Sequence, residues 1–374
     1  MTEPRPFQPK WVSPPGDTLA DLLEERGWSQ AEFADRADFS RKHVNDLLKG
    51  RASITPETAS RLAMVLGSTE QFWLTREARY RAALATRAHI SALSAQSSWL
   101  AELPLPWLVK QGWVRRLRDR GEQVEACLRY FSVASVEAWR AHYEAPQAAF
   151  RASPKFVRHP GAVAAWLRRA EIEAGAIDCA PYDAQAFRAL CPTLRTLSTL
   201  TDLHSIQSAL RSRCAAVGVA VVVVPAPPKC PVSGATRWLT PNKAMLVLSL
   251  RHKTDDHLWF TFFHEAAHLL LHEKKLVFVD GVDGLDDAQE AEADKFARDT
   301  LISEADARSL AMLRTAQQVK RRAKEMGIAP GILVGRMQHD GAHPWQSALN
   351  ALKIRYADVD AALESPKAEH TTPG

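Results

Sequence analysis

The amino-acid sequence predicts a mainly α-helical protein with one small β-sheet. Residues 17–80 form a series of short apolar-periodic segments with capping residues at their starts, and residues 81–215 are rich in Ala, Leu and Arg at helical spacing. Runs of β-branched residues begin only after Val217 and are followed by longer helical patterns. We therefore expect five consecutive regions: a flexible arm (1–16), an N-terminal helical bundle (17–80), a helical middle region (81–215), a C-terminal α+β domain (216–340) and a C-terminal extension (341–374).

The composition is that of an ordinary globular protein. Of 374 residues, 24% are charged and 46% are hydrophobic, which argues against a disordered chain. The five cysteines are scattered without a C-x-x-C pair, so neither a disulfide framework nor a cysteine-ligated zinc site is expected. No apolar stretch is long enough for a transmembrane helix, and the first residues lack the apolar segment of a signal peptide. We therefore expect a cytoplasmic protein, whose net charge of +5 permits a nucleic-acid partner.

Short helices with clear start and end signals are expected between residues 17 and 80. Thr18–Arg26 stops at Gly27, Ser29 and Glu32 form a capping box, Ser40 caps Arg41–Lys49, Thr55 with Pro56 starts a helix to Leu66, and Ser68 with Gln71 forms a second capping box. The second and third helices are joined by a compact turn at residues 38–40. Two short helices with such a turn, inside a small bundle, form a helix-turn-helix arrangement.

The third helix of this bundle is the candidate DNA-recognition helix. In the helix-turn-helix geometry its early residues face base edges in the major groove; here these are Arg41, Lys42, His43 and Asn45. Lys49 and Arg51 lie where DNA phosphates would be met. Residues 17–80 hold nine Lys and Arg against eleven Asp and Glu, so the positive charge is only local. A generic helical bundle with a polar face is the alternative.

Residues 16–74 resemble the HigA-type antitoxin repressors within the wider Cro/CI-like class. The segments that carry the resemblance are GWSQAEFA, VNDLLKGR, ITPETASRLA and FWL. The resemblance implies a dimeric protein that binds double-stranded operator DNA. It also implies a partner, since such repressors are often paired with a HigB-type ribonuclease toxin.

A buried helix with polar residues in its middle follows the predicted strands. Val219–Val224 reads as a buried strand, and Ala235–Leu239 with Ala244–Leu250 reads as a hairpin. The helix that follows, residues 255–272, is capped by Asp255 or Asp256 and is apolar on nearly all sides, which predicts burial. It nevertheless carries His264, Glu265 and His268, whose burial without partners would cost several kcal/mol by order of magnitude.

The spacing of these three residues points to a zinc site. H-E-x-x-H places His264 and His268 one turn apart on the same helix face, where both can bind one zinc ion. Glu265 then lies within reach of the open coordination position and can act as general base. A third ligand is expected from residues 285–303. On that helix Glu290 falls on the inward side, Asp294 follows one turn later and can orient a zinc-bound His, and Glu292 is the alternative ligand.

The two motifs together resemble the Glu-zincin metallopeptidases, and more narrowly the ImmA/IrrE family. The quoted segments are FTFFHEAAHLLLH (260–272) and EAEADKFA (290–297), and the resemblance covers roughly residues 215–338. It implies a zincin-like fold and an endopeptidase that relieves repression by cleaving a repressor. Ala267 departs from the family pattern, in which many members carry Gly. Because the strand before the helix binds substrate backbone in this class, Arg237 and Trp238 are candidate substrate contacts.

The remaining histidines and basic clusters receive less specific interpretations. His272 reads as a surface or structural residue, His257 as a capping or buried residue or an oxyanion contact, and His339 and His343 as solvent-exposed. The clusters at 115–120, 168–169 and 320–324 read as solvated helix faces, with DNA phosphates or an acidic toxin surface as alternatives.

Two functions follow from this sequence. In the first, a DNA-binding regulator is fused to an active zinc endopeptidase that cleaves a repressor, a partner or the chain itself. In the second, the chain is a non-catalytic antitoxin or repressor whose zinc domain is structural or sensory. The complete H-E-x-x-H motif favours the first, because a structural zinc site has no need of Glu265.

Overall fold

A computed structural model describes residues 13–144, 159–272, 278–279 and 287–356. The helices are α1 (Pro15–Arg26), α2 (Gln30–Ala37), α3 (Arg41–Leu48), α4 (Pro56–Leu66), α5 (Glu70–Ser94), α6 (Leu105–Lys110), α7 (Arg120–Phe131), α8 (Val136–Trp139), α9 (Pro160–Gly175), α10 (Ala184–Leu194), α11 (Leu203–Ala215), α12 (Asp255–Leu271), α13 (Asp287–Leu301), α14 (Glu304–Leu310), α15 (Ala316–Met326) and α16 (Pro330–His339). The strands are β1 (Val219–Val223), β2 (Gly234–Thr240), β3 (Lys243–Leu248) and β4 (Phe278–Val279). The predicted fold class, mainly helical with a small sheet, is confirmed.

The N-terminal helices begin largely where the capping residues predict. The side chains of Ser29, Ser40 and Thr55 each accept a hydrogen bond from the backbone N–H three residues later. The cap of α5 is Thr69 rather than the expected Ser68, because Ser68 has a left-handed φ of 63° and cannot take the extended conformation of an N-cap. Helix α1 starts at Pro15, inside the predicted arm, and residues 1–12 of that arm lie outside the described residues.

The chain divides into two compact units. The first holds the described residues up to Ser97 together with Arg118–Glu125, and the second holds 98–117 and the residues from 126 onward. Helix α5 runs through the predicted boundary at residue 80 without a break, so the first unit is longer than the predicted bundle. Its core contains Phe33, Val44, Leu62 and Trp73, all fully buried, among other apolar side chains.

The second unit is built around one mixed sheet with strand order β1-β3-β2-β4. β1 pairs with β3 in parallel, whereas β2 pairs with β3 and with β4 in antiparallel orientation. The strand and the hairpin expected from the sequence are confirmed, and the hairpin carries an irregularity between Trp238 and Thr240. β4 pairs with β2 at Ala235 and Thr236.

The sheet is covered by helices on both faces, which explains why β1 is an unbroken apolar run. Val219, Val221 and Val223 pack into the core formed with α10–α13, α15 and α16. Ala220 and Val222 point to the opposite face, where α9 covers the sheet. From α9, the Trp166 indole N–H donates to the Val224 carbonyl across 2.9 Å.

The start of α12 is held by the last described residues of the chain. Thr254 is its N-cap residue, so Asp255 and Asp256 lie in the first turn instead of capping the helix as expected. The Asp255 backbone N–H donates to the Ile354 carbonyl, and the Ile354 N–H donates to Asp255 Oδ1. Lys353 Nζ lies 2.6 Å from Asp256 Oδ2. Segment 353–356 therefore packs as part of this unit.

None of the helices in the described ranges combines the length and the apolar character that a membrane span requires. The five cysteines are free thiols, four of them buried and Cys179 half-buried.

Candidate functional site

The face between α12 and α13 brings together His264, His268 and Glu290. The two Nε2 atoms of the histidines lie 3.0 Å apart. Glu290 Oε2 lies 3.2 Å from His264 Nε2, and Glu290 Oε1 lies 3.6 Å from His268 Nε2. Their ligand atoms all lie within 4.8 Å of one another, and this is the one such group of three or more within the described residues.

This donor set fits a zinc ion. Two imidazole nitrogens and one carboxylate oxygen are the ligands of many catalytic zinc sites, which keep a fourth position open. Atoms that each lie about 2.0–2.1 Å from a tetrahedral zinc ion are roughly 3.3 Å apart. The observed separations of 3.0, 3.2 and 3.6 Å are close to that value. Burial, together with the neighbouring His264 and His272, lowers the pKa of His268 to about 3, so this imidazole is neutral and able to bind a metal.

Each of the two histidines has a partner on its other ring nitrogen. His264 Nδ1 lies 3.0 Å from Asp294 Oδ1, the contact for which the sequence suggested this carboxylate. His268 Nδ1 lies 2.9 Å from His272 Nδ1. Such outer contacts fix the orientation of a metal-bound imidazole. The role of Asp294 as an orienting carboxylate stays a prediction.

His272 and Glu292 contact each other, which the sequence did not predict. The His272 side chain is only 2% exposed, and its Nε2 lies 3.4 Å from Glu292 Oε2. Glu292, the alternative third ligand, is thus directed to His272, whereas Glu290 is directed to the two Nε2 atoms. The spacing of four residues between His268 and His272 was the available signal, because residues one turn apart at a helix end lie close together.

Glu265 lies in a closely packed position beside the sheet. Its residue surface is fully buried. A Cβ atom added at Gly234, the first residue of β2, would lie 2.7 Å from Glu265 Cγ and 2.8 Å from its Oε1. Only glycine allows β2 to come this close to the carboxylate. The assignment of Glu265 as general base, like that of the ligands, stays a prediction.

Arg237 and Trp238, the expected substrate contacts on β2, contact other residues of the second unit. Arg237 forms an ion pair with Glu171 and lies 3.3 Å from His142 Nε2. The Trp238 ring packs edge-on against Tyr182, with the ring centroids 4.8 Å apart. Part of the β2 edge is already paired with β4. Substrate binding by Arg237 would therefore require it to give up its ion pair, and the structure lends this prediction no support.

The other singled-out histidines lie apart from the three candidate ligands. His257 is exposed and stacks on His252, with ring centroids 4.2 Å apart. The His339 side chain is 55% exposed, as expected. The expectation of a solvent-exposed His343 is wrong: this residue is half-buried, and its Nε2 lies 2.9 Å from the Leu313 carbonyl oxygen.

The candidate DNA-recognition helix presents its polar side to solvent. Val44 and Leu47 are buried against the bundle, while Arg41, Lys42 and Lys49 are exposed and His43 and Asn45 are half-buried. Lys49 ends α3 as its C-cap residue instead of continuing the helix. The exposed Arg51 pairs with Asp46 at 2.6 Å, so a phosphate contact by Arg51 would compete with this pair. The base and phosphate contacts themselves stay predictions.

Comparisons with known proteins match two separate segments of the chain. Residues 19–73 match the family model of the helix-turn-helix, and residues 222–332 match that of the IrrE N-terminal-like domain, a peptidase family. An Escherichia coli protein, the uncharacterized HTH-type transcriptional regulator YddM, is 40% identical over 60 residues, which are 16% of this chain. The chain spans 64% of the length of that relative. This chain therefore carries a helix-turn-helix domain and, separately, an IrrE N-terminal-like peptidase domain.

Proposed function

We propose that this protein is a transcriptional regulator that binds operator DNA and carries a zinc-dependent endopeptidase site. The observation that supports the enzymatic half is the convergence of His264 Nε2, His268 Nε2 and the Glu290 carboxylate beside the buried Glu265. A structural zinc site would need a closed set of ligands, whereas three ligands with an adjacent carboxylate are typical of a catalytic site.

The chemistry divides among a few side chains. Zinc, when bound, polarises the scissile carbonyl and lowers the pKa of a water molecule. The Glu265 carboxylate takes a proton from the attacking water and delivers it to the nitrogen of the leaving amine. Asp294 and His272 hold the two imidazole rings in their orientations through Nδ1.

We further propose that the DNA-binding half is a HigA-type antitoxin repressor that acts as a homodimer. This rests on the segments within residues 16–74 that resemble such repressors. The proposal includes a HigB-type ribonuclease toxin as a partner and a repressor, a partner or this chain as the peptide substrate. Two-fold symmetry would match the palindromic operators that such dimers read.

The enzymatic half is tested with Glu265→Gln and with Glu304→Gln as a control at an exposed carboxylate of the same unit. Zinc content is measured by metal analysis, and cleavage is followed by mass spectrometry of a peptide library and of the chain itself. We expect both variants to retain zinc, and only Glu265→Gln to lose cleavage, by roughly 10²–10⁴-fold. Equal cleavage by Glu265→Gln and wild type, or none by wild type with zinc bound, would favour the non-catalytic regulator.

The DNA-binding half is tested with the double variant Arg41→Ala and Asn45→Ala. The DNA probe is a sequence selected from random duplexes by the wild-type protein, and binding is measured by mobility shift at fixed salt. We expect the double variant to lose specific binding while its thermal unfolding is unchanged, because the two side chains carry the proposed base contacts. Arg79→Ala, at an exposed position of α5, is the matched control. Unchanged binding by the double variant would contradict the assigned recognition helix.

A further inference from the structure

A cavity of about 310 Å³ lies beside the candidate metal centre, within the second unit. Asp294, which contacts His264, is one of its lining residues. Thr261, one turn before Glu265, is another, and the lining Phe260 ring packs near the His264 ring with centroids 6.2 Å apart. The cavity therefore adjoins the Nδ1 side of His264 and the turn of α12 that precedes Glu265, and it has room for one large side chain.

Most of the exposed area of the cavity wall is apolar, although nine of its fifteen lining residues are polar or charged. Phe260 comes from α12, Leu301 and Ile302 from the end of α13, and Ile332 from α16. Trp345 completes the wall, and it is 61% exposed although it is the largest apolar side chain of the lining. An exposed indole at the rim of an apolar cavity is a surface that gains free energy when a ligand covers it.

The Asp and Arg side chains that line the cavity are each matched by an opposite charge of the same chain, and three histidines, His252, His257 and His339, line it as well. Asp256 lies 2.6 Å from Lys353, and Arg336 Nε lies 2.7 Å from Asp340. Arg298 lies 3.9 Å from the Asp294 carboxylate. A charged ligand side chain would lose hydration here and find these partners already engaged, which favours an uncharged ligand.

Trp345 is held in place by buried and partly buried amides. Gln338, only 3% exposed, donates its amide N–H groups to the carbonyls of Pro344 and Trp345, both at 3.2 Å. Asn350 Nδ2 also donates to the Trp345 carbonyl, at 2.8 Å. Trp345 and its two anchors all follow residue 332, where the match to the peptidase family model ends. The Trp345 side of the wall thus comes from a part of the chain that the family model does not cover.

We propose that this cavity binds a bulky, uncharged apolar side chain of the peptide substrate, next to the bond that is cleaved, and that Trp345 determines this specificity. The proposal rests on the proposed peptidase function. It assigns to the segment after α16 the role of selecting which peptides are accepted.

The test uses the full-length, zinc-loaded protein and three small probes that bind zinc through a hydroxamate. The probes are the hydroxamates of N-acetyl-phenylalanine, N-acetyl-glycine and N-acetyl-aspartate, and their dissociation constants are measured by calorimetry. We expect the phenylalanine probe to bind about tenfold or more tightly than the glycine probe, since filling an apolar pocket contributes on that scale. The aspartate probe should gain nothing over glycine.

The variants locate the effect at Trp345. Trp345→Ala should reduce the preference for the phenylalanine probe to about threefold or less while leaving the glycine probe unchanged, and Trp345→Phe should retain most of it. Met312→Ala, at a 76% exposed position of the same unit, is the matched control and should behave as wild type. Equal binding of the three probes, or an unchanged preference in Trp345→Ala, would overturn the pocket but leave the metal centre intact. Failure of every hydroxamate to bind would instead count against the metal centre, and with it against the proposed function.

Discussion

His272 lies directly behind one candidate metal ligand without being one of the candidate ligands itself. It contacts His268 Nδ1 on one side and Glu292 on the other, and so fills for His268 the place that Asp294 fills for His264. The two candidate ligands are thus oriented by different chemistry, one by a carboxylate directly and the other by an imidazole backed by a carboxylate. Loss of such outer contacts typically weakens metal binding by roughly 10–100-fold.

We therefore expect His272→Ala to weaken zinc binding by roughly 10–100-fold, as measured by competition with a chromophoric chelator. Glu290→Gln should weaken it far more, because it removes a proposed ligand, and Glu292→Gln should have the smallest effect of the three. The absorption spectrum of the cobalt-substituted protein should change in Glu290→Gln and stay closer to wild type in Glu292→Gln. The reverse ranking of Glu290 and Glu292 would show that the ligand is misassigned.

Individual residues differed in how far the sequence could predict them. The four-residue spacing of His264 and His268 and the helical angle of Glu290 predicted side chains that the structure does bring together, because both depend only on local helix geometry. The contact of His272 with Glu292 was not predictable from local spacing, because the two residues belong to different segments of the chain. The pairing of Arg237 with Glu171 joins residues 66 positions apart and leaves no local signal.

The contact between α1 and α3 depends on a glycine. A Cβ atom added at Gly16 would lie 2.2 Å from the Leu48 carbonyl oxygen and 2.5 Å from that of Leu47. Both atoms belong to the backbone of the candidate recognition helix, so a side-chain rotation cannot relieve the overlap. The two helices would have to move apart.

We expect Gly16→Ala to lower the free energy of unfolding of the first unit by roughly 1–3 kcal/mol, the usual range for overpacking. Gly175→Ala is the control, because a Cβ at that helical glycine meets nothing within 4 Å. It should leave stability unchanged or raise it by up to about 1 kcal/mol. Urea unfolding of the two variants measures the difference, and similar values for both would contradict the proposed close approach.

The first turn of α12 contains Asp255, whose carboxyl group is buried. Asp255 is fully buried, and its Oδ2 makes no hydrogen bond within the described part of the chain. Burial, and then the neighbouring Asp256, raise the pKa of Asp255 from 3.8 to about 7. The folded protein therefore holds a proton here that the unfolded chain releases near pH 4, so this group makes stability fall as the pH rises from about 4 to 7.

Asp255→Asn removes this dependence while its amide oxygen can still accept from the Ile354 N–H. We expect the variant to gain stability relative to wild type between pH 4 and pH 8, by up to roughly 4 kcal/mol for a pKa change of this size. Urea unfolding at pH 4, 6 and 8 measures the gain, with Asp299→Asn, an exposed position of the same unit, as control. Parallel stability curves for Asp255→Asn and wild type would contradict a raised pKa.

Elements were predictable where local signals decide them. The caps at Ser29, Ser40 and Thr55 and the apolar run of β1 each carry a physical signal within a few residues. The prediction that Ser68 caps α5 was wrong, because the sequence does not reveal the left-handed φ of this residue. The short β4 and its pairing with β2 depend on a partner about 40 residues earlier in the chain, which no local pattern specifies.

On the scale of the whole molecule, the protein has separate hydrophobic cores in its two units. The first is centred on residues such as Phe33 and Trp73, and the second lies on both faces of the sheet. The candidate metal centre belongs to the second unit alone. A ligand that binds only one folded unit stabilises that unit by mass action.

Calorimetry with and without zinc should therefore show one transition that moves and one that does not. At a free zinc concentration about 100 times the dissociation constant, the second unit should gain roughly 2.7 kcal/mol, which EDTA removes. The first unit should unfold at the same temperature in both conditions, and DNA binding should not require zinc. As a control, the Glu290→Gln variant should unfold with the same transitions as the zinc-free wild-type protein. A shift of both transitions together would show that the units unfold as one.

The predicted division of the chain follows the composition of its segments and does not show how these segments pack. Residues 81–215 were expected as a helical middle region, and those that the structure describes are mainly helical, but α9 and α11 lie against the sheet and form part of its core. Helix spacing reports that a segment has an apolar face and cannot report which surface that face covers. The predicted domain boundaries therefore stay predictions.

The contacts at residues 353–356 have a practical meaning for anyone who isolates the second unit. A fragment that stops at residue 340, where the sequence pattern places the boundary, would lack Lys353 and leave the buried Asp256 carboxylate without its cation. Removing one partner of a buried ion pair typically costs about 3–5 kcal/mol, a large part of the stability of a domain. Such a fragment would also lack Trp345, the residue proposed to select peptides, so it could not test that proposal even if it folded. A fragment of the second unit therefore has to include residues 353–356.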